Sequence, residues 1–116
     1  GVIGMPGDRP DSHILEVGKC CGQILDYIFI KEDEDRRGRA IGEVPDILEK
    51  GILTSKFCIM NIEKVLDETE AFKRAMDIAE AGDVVIIFFD KPDPLMDVMR
   101  NKIEETKNKT KLLVKI

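Results

Sequence analysis

Short apolar runs alternate with segments of helical periodicity along the 116 residues, and this alternation restricts the possible folds more than any other feature. It favours an α/β fold: a three-layer sandwich with a mostly parallel (mixed) sheet and helices on both faces. Val84–Phe89, six apolar residues without alternation, is predicted to be a central strand buried on both faces. The other predicted strands are Val2–Met5, Asp26–Lys31, Ile62–Leu66 and Leu112–Ile116.

The helices between these strands begin with recognisable local signals. Asp11 or Ser12 is a suitable N-cap for the first helix, and Pro45 suits the first turn of the second. Asp67–Glu70 matches a capping box and predicts the start of a third helix at that point. Phe57–Met60 is apolar, but its pattern does not distinguish a strand from a helix.

The predicted topology brings three polar loops to one place. In a parallel sheet, the loops that follow the carboxyl ends of the strands lie along one edge, and ligands bind there. Met5–Pro10, Lys31–Arg39 and Asp90–Pro94 all follow predicted strands. Three separated segments therefore form one candidate site at the carboxyl edge of the sheet.

The first of these loops contains Gly4–Arg9, a glycine-containing turn between a strand and a helix. The turn is neither GxGxxG nor GxxxxGK[ST], and the chain has no phosphate-binding loop of either kind. The guanidinium of Arg9 is suited to hold a carboxylate in a bidentate pair. A turn whose charges pair with each other is the alternative interpretation of the same residues.

The second loop, Lys31–Arg39, is the densest charged segment, with acids first and bases after them. Its acids are suited to bind an amine or a guanidinium, and Arg36 or Arg39 is suited to bind a carboxylate. A zwitterionic amino acid needs both signs close together. The alternative is an ordinary solvated loop, which is the usual explanation of such a run.

Composition argues against several other classes of function. The net charge is -5 and no basic stripe with interleaved aromatic residues occurs, so nucleic-acid binding has little support. Cys20, Cys21 and Cys58 have neither zinc-site nor disulfide spacing, which favours a reducing, cytoplasmic location. No apolar run approaches the ~20 residues that span a bilayer. The single histidine, His13, is interpreted as a surface residue.

Three segments together resemble the C-terminal domain of the Mur ligase family: Gly1–Asp11, Ile30–Arg39 and Gly42–Val44. The first contains a Gly-Asp-Arg turn, and the second contains an Asp-x-x-x-Arg-Gly-Arg stretch. The resemblance implies a Rossmann-like domain that binds the incoming amino acid. The resemblance further implies a parent enzyme in which ATP and Mg²⁺ activate a carboxylate as an acyl phosphate, and an amine displaces the phosphate to form an amide. In this family an upstream domain supplies most of the ATP contacts, so this domain is expected to bind no cofactor alone.

The resemblance also implies roles for particular residues. Arg9 corresponds to the family's contact with a substrate carboxylate. Asp33 and Arg36 fall where an Asp-Asn-Pro-Arg motif selects the amino acid, although Glu34 and Asp35 replace Asn-Pro. The extra acids would suit a cationic substrate such as arginine, with aspartate as the other candidate. The full set of predicted substrate-binding residues is Asp8, Arg9, Lys31, Asp33, Asp35, Arg36, Arg39 and Lys91.

A length of 116 residues predicts a single domain, and the resemblance, which covers most of residues 1–116, implies a domain of the Mur ligase C-terminal type. The family's domain normally begins about one β-α unit earlier, so the chain is predicted to lack a strand and to expose apolar surface or self-associate.

Two other functions remain open. One is a Mur-type ligase with another substrate, of the peptidoglycan or folylpolyglutamate type. The other is a non-catalytic Rossmann-like binding or regulatory module.

Overall fold

A computed structural model describes residues 1–107, and its centre is a parallel sheet of three short strands. The strand order is β1-β2-β3, with Val2 opposite Phe29 and Ile28 opposite Ile62. These elements confirm the predicted α/β class. The strands are β1 (Val2–Ile3), β2 (Ile28–Ile30) and β3 (Ile62–Lys64).

Four helices connect and cover these strands, as the apolar periodicity predicts. A short 3₁₀ turn, Ile59–Asn61, occupies the part of the chain whose pattern was ambiguous. Pro45 lies in the first turn of its helix, where its missing N–H leaves no hydrogen bond unmade. The helices are α1 (Asp11–Ile24), α2 (Glu43–Leu53), α3 (Glu68–Ile78) and α4 (Pro92–Lys107).

The sheet separates two apolar cores because successive side chains of a strand point to opposite faces. Ile3 packs on one face with residues of α1 and α2, including Ile14 and Leu48. Val2 packs on the other face with residues of α3, α4 and the segment between them, including Phe72. The predicted placement of helices on both faces is therefore confirmed.

Close packing of α1 on α2 depends on glycine at the points where the helices touch. A Cβ atom on Gly18 would lie 2.3 Å from the carbonyl oxygen of Leu48, and one on Gly51 would lie 2.1 Å from that of Leu15. Both distances are far below any real Cβ contact, so the two backbones approach more closely than alanine allows. This helix pair fixes where α2 begins, and the loop before α2 borders the candidate site.

Within residues 1–107, Val84–Phe89 does not form the predicted central strand. This segment makes a single parallel bridge, between Val2 and Ile87, and lies at the β1 side of the described sheet. Val85 and Ile87 are buried, whereas Val84 is 56% exposed and Phe88 41% exposed. Only one face of the segment is covered by the described residues, so an unbroken apolar run did not indicate burial on both faces. The predicted strand Leu112–Ile116 lies outside the described residues.

Replacing Asp67 with alanine is expected to lower the free energy of unfolding by about 1 kcal/mol, because Asp67 caps α3. Its carboxylate accepts a hydrogen bond at 2.8 Å from the backbone N–H of Glu70. Urea denaturation of both proteins measures the difference. Lys73→Ala, on the exposed side of the same helix, is the control and should change the free energy little. Equal losses in the two variants would show that the cap contributes nothing.

Candidate functional site

Loops at the carboxyl edge of the sheet enclose a cleft of about 640 Å³. The segment after β2, the segment after β3 and the turn before α4 form its walls. The expected meeting of loops 31–39 and 90–94 is thus confirmed. Its ionisable lining is mostly acidic, with two bases, and consists of Glu32, Asp33, Glu34, Asp67, Glu68, Asp90, Arg36 and Lys91.

A buried lysine lies beneath the floor of this cleft. Lys31 directly follows β2, and its side chain is only 1% exposed. Its Nζ atom lies 2.5 Å from Oδ1 of Asp33 and 2.7 Å from Oε2 of Glu68. The aliphatic part of Lys31 runs over Gly4, where a Cβ atom would lie 2.6 Å from Cε of the lysine. Two carboxylates therefore share one buried ammonium group, and the absence of a side chain at the end of β1 makes room for it.

Glu68 connects this lysine to the third wall of the cleft. It is the first residue of α3, and its carboxylate accepts hydrogen bonds from the backbone N–H groups of Asp90 (2.6 Å) and Lys91 (3.1 Å). Burial alone would raise the pKa of Glu68. The ion pair with Lys31 and the two backbone hydrogen bonds outweigh burial and hold this pKa below its usual value.

An exposed ion pair between Glu34 and Lys91 joins the second loop to the turn before α4. The hydrogen bond and charge of Glu34 raise the pKa of Lys91. Exposed ion pairs of this kind contribute little to stability. Such a pair separates at little cost, so both side chains are available to a ligand in the cleft.

Arg36 supplies the cleft with a guanidinium that makes no ion pair with any residue of 1–107. The backbone at Arg36 lies directly against the first loop. The closeness of this contact is shown at Gly7, where a Cβ atom would lie 2.1 Å from the carbonyl oxygen of Arg36. An unpaired guanidinium beside carboxylates gives the cleft both charges that a zwitterion requires.

Arg39 holds the first loop against the second. Its Nε donates to the carbonyl oxygen of Gly7 (2.8 Å), and its Nη2 donates to that of Arg9 (2.8 Å). The same guanidinium pairs with Asp11 at 2.7 Å and with Glu43 at 3.3 Å. The hydrogen bond that Arg39 donates to the Asp11 carboxylate is the main reason that the pKa of Arg39 lies above its usual value. The donors of Arg39 are thus engaged within the chain.

The structure brings together only some of the predicted binding residues. Asp33, Arg36 and Lys91 line the cleft, with Lys31 buried beneath it. The others lie outside it, at the junction of the first and second loops. Arg37 joins two of them there, 3.2 Å from Asp8 and 2.9 Å from Asp35. The predicted binding roles stay predictions; the outlying residues are Asp8, Arg9, Asp35 and Arg39.

Sequence reasoning missed the contribution of the segment after β3. Leu66 and Glu68 line the cleft, as does Ile41 from the loop before α2. The rule that placed three polar loops at the carboxyl edge applies equally to the loop after β3, and it would have included Glu68. The apolar surface of Leu66 and Ile41 gives the cleft a site for the aliphatic part of a ligand.

The described residues hold no cluster of three His, Cys, Asp or Glu side chains placed to bind a metal ion. Within residues 1–107, no helix has the length and hydropathy needed to cross a bilayer.

Comparison with known proteins identifies relatives. The chain is 44% identical over 88 residues to a cyanophycin synthetase from Synechocystis sp., and 42% identical over 87 residues to one from Nostoc sp.. These matches cover 76% and 75% of the chain, respectively, but 10% of each relative. A UDP-N-acetylmuramyl-tripeptide synthetase from Tropheryma whipplei is 28% identical over 102 residues, which is 88% of the chain and 19% of that enzyme. No protein-family model matches the sequence.

The matches to cyanophycin synthetases, together with the weaker one to a UDP-N-acetylmuramyl-tripeptide synthetase, confirm the resemblance that the sequence motifs indicate. The chain spans about a tenth of the length of the cyanophycin synthetases it matches. The described α/β fold agrees with the Rossmann-like architecture expected from the motifs. The chain is therefore a homologue of a segment of cyanophycin synthetase.

Proposed function

We propose that this chain is the amino-acid-binding domain of an ATP-dependent amide ligase of the cyanophycin synthetase type. The observation that carries the proposal is the cleft at the carboxyl edge of the sheet, where Arg36, which pairs with no acid of residues 1–107, lines the same cavity as a group of carboxylates. The similarity to a segment of cyanophycin synthetases supports the reaction class. The domain is inactive alone and works with other domains of the same protein.

The cleft suits a cationic amino acid such as arginine. Arg36 offers a bidentate partner for the α-carboxylate. Asp33 and Glu34 offer acceptors for a guanidinium or ammonium group, and the apolar surface of Leu66 can cover a methylene chain. Aspartate is the weaker candidate. Its side-chain carboxylate would lie against the acidic wall of the cleft, where Lys91 is the counter-charge left for it once Arg36 binds the α-carboxylate.

ATP and Mg²⁺ are assigned to the parent enzyme rather than to this domain. The sequence has no GxxxxGK[ST] loop, and the described residues offer no cluster of metal ligands. Residues 1–107 therefore offer no support for a nucleotide–magnesium site. The role derived for this chain is therefore restricted to binding and orienting the amino acid whose amine forms the new C–N bond.

Two alternatives differ from this proposal in specific ways. A peptidoglycan-type ligase is supported by the match to a UDP-N-acetylmuramyl-tripeptide synthetase, which covers 88% of the chain at 28% identity. A regulatory module would bind a ligand in the same cleft without a catalytic partner.

We place the domain in a reducing cytoplasm, since all three cysteines are free.

Titration of the chain with arginine, followed by amide NMR, tests the proposal. We expect saturable shifts in the segments that wall the cleft, with Asp33→Asn and Arg36→Ala each weakening arginine binding by about tenfold or more. Lysine should bind more weakly, because its ammonium cannot form the bidentate pairs of a guanidinium. Aspartate should bind least.

Matched controls lie on α4, away from the cleft. Asp97→Asn and Arg100→Ala remove the same groups from an exposed pair on that helix and should leave arginine binding unchanged. Shifts outside the cleft, or equal effects of site and control variants, would refute the assigned site. Tighter binding of aspartate than of arginine would refute the cationic substrate.

A further inference from the structure

The charges beneath the cleft do not balance. Lys31 contributes one positive charge, whereas Asp33 and Glu68 contribute one negative charge each, at 2.5 Å and 2.7 Å from its Nζ. All three side chains are largely removed from solvent, with exposures of 1%, 15% and 14%. One unit of negative charge therefore remains at the floor of the cleft, where the low polarisability of the surroundings strengthens its effect on a ligand.

Glu68 also determines the position of the wall opposite β2. Three donors converge on its two carboxylate oxygens: the ammonium of Lys31 and the backbone N–H groups of Asp90 and Lys91. The backbone at 90–91 is thus held against the first turn of α3, and this places the Lys91 side chain over the cleft beside Glu34.

We infer that Glu68 is a positioning and specificity residue. Because it shares the Lys31 ammonium with Asp33, it keeps the Asp33 carboxylate available to a ligand cation. Because it accepts two backbone hydrogen bonds, it fixes the wall formed by residues 90–91. Without the Glu68 charge, Lys31 and Asp33 form a neutral pair, and the Asp33 carboxylate is fully engaged. The cleft then loses its preference for a cation. The binding part of this inference rests on the proposed function, whereas the positioning part does not.

Glu68→Gln tests the inference because an amide accepts hydrogen bonds only at its oxygen. Its NH₂ group would face one of the three donors that converge at this point, so the arrangement cannot be kept. We expect about tenfold weaker arginine binding in Glu68→Gln. Glu68→Asp keeps the negative charge and should bind arginine better than Glu68→Gln does. If Glu68 acted by packing alone, the shorter aspartate side chain would weaken arginine binding at least as much as glutamine.

The amide protons of Asp90 and Lys91 give a readout that is independent of any ligand. Because they bond to a carboxylate whose pKa is lowered, their NMR shifts should change on acidification with a midpoint below the usual glutamate value. The part of this change that comes from Glu68 should be lost in Glu68→Gln, whereas any part that comes from the neighbouring carboxyl groups should stay. The other charged groups that pair with Glu68 or line the cleft with it are Lys31, Glu32, Asp33, Glu34, Arg36, Asp67, Asp90 and Lys91.

These results separate failure of the inference from failure of the proposed function. If the unmodified chain binds no arginine, the proposed function fails, and the amide titration alone decides the positioning role. If arginine binds the unmodified chain and Glu68→Gln equally well, the specificity role is wrong. If the amides of Asp90 and Lys91 do not respond to acid in the unmodified chain, the positioning role is wrong, whether or not Glu68→Gln folds.

Discussion

Lys31→Met is expected to lower the free energy of unfolding at neutral pH by about 3 kcal/mol, because it leaves two largely buried carboxylates without their counter-charge. Methionine has a similar length and fills the same space over Gly4, so the loss reports the charge rather than a cavity. Loss of the ammonium removes one of the interactions that hold the pKa of Glu68 below its usual value, so this pKa rises in the folded variant. The deficit should consequently shrink as the pH falls and Glu68 binds a proton.

Urea denaturation at pH 7 and at pH 5 measures both parts of this prediction. The control is Lys19→Met, which makes the same replacement at an exposed position on α1 and should have little effect. The triple replacement of Lys31, Asp33 and Glu68 by apolar residues should be less destabilised than Lys31→Met, because no buried charge is left alone. A Lys31→Met variant as stable as the Lys19→Met control would mean that the carboxylates are adequately solvated.

Gly51→Ala is expected to lower the free energy of unfolding by about 2 kcal/mol, although alanine is the better helix former. The new Cβ atom would lie 2.1 Å from the carbonyl oxygen of Leu15 and 3.0 Å from the backbone nitrogen of Lys19. Both neighbours are backbone atoms, so α1 and α2 must move apart to admit the methyl group. That movement loses apolar contacts of Leu48 and Ile52 in the core beneath.

The adjacent exposed residue on the same helix provides the comparison for Gly51→Ala. Lys50→Ala also places alanine on α2, but away from α1, and should change the free energy by less than about 0.5 kcal/mol. Chemical denaturation of both variants with the unmodified chain separates helix propensity from packing. A gain in stability for Gly51→Ala would show that the two helices separate at no cost.

The sheet and its covering helices could be predicted because their signals are local. Alternation within β1 and β2 already assigns Val2 and Phe29 to one face and Ile3 and Ile28 to the other. The location of Val84–Phe89 could not be predicted, because it depends on how many neighbours a strand has. Burial of Val85 and Ile87 needs one covered face only, and an apolar run gives no measure of the second.

The candidate site was predictable in place but not in chemistry. Topology and the family motifs placed Asp33, Arg36 and Lys91 together, and the structure agrees. Lys31 follows β2 like any polar loop residue, and nothing near it in the sequence indicates that it is buried. Its burial depends on Glu68, which reaches it from the start of α3. Interactions between residues so distant in sequence follow from the packing of whole elements and not from local pattern.

The segment between β2 and α2 is anchored at both ends and in its middle. Lys31 is held by Glu68, Arg36 lies against Gly7, and Arg39 is bonded to the carbonyl oxygens of the first loop. Most surface loops accept inserted or deleted residues, since their ends alone are fixed. Here any change in length would break at least one of these attachments. If the proposed function holds, related proteins with another amino-acid preference should therefore differ in this segment by substitution at constant length.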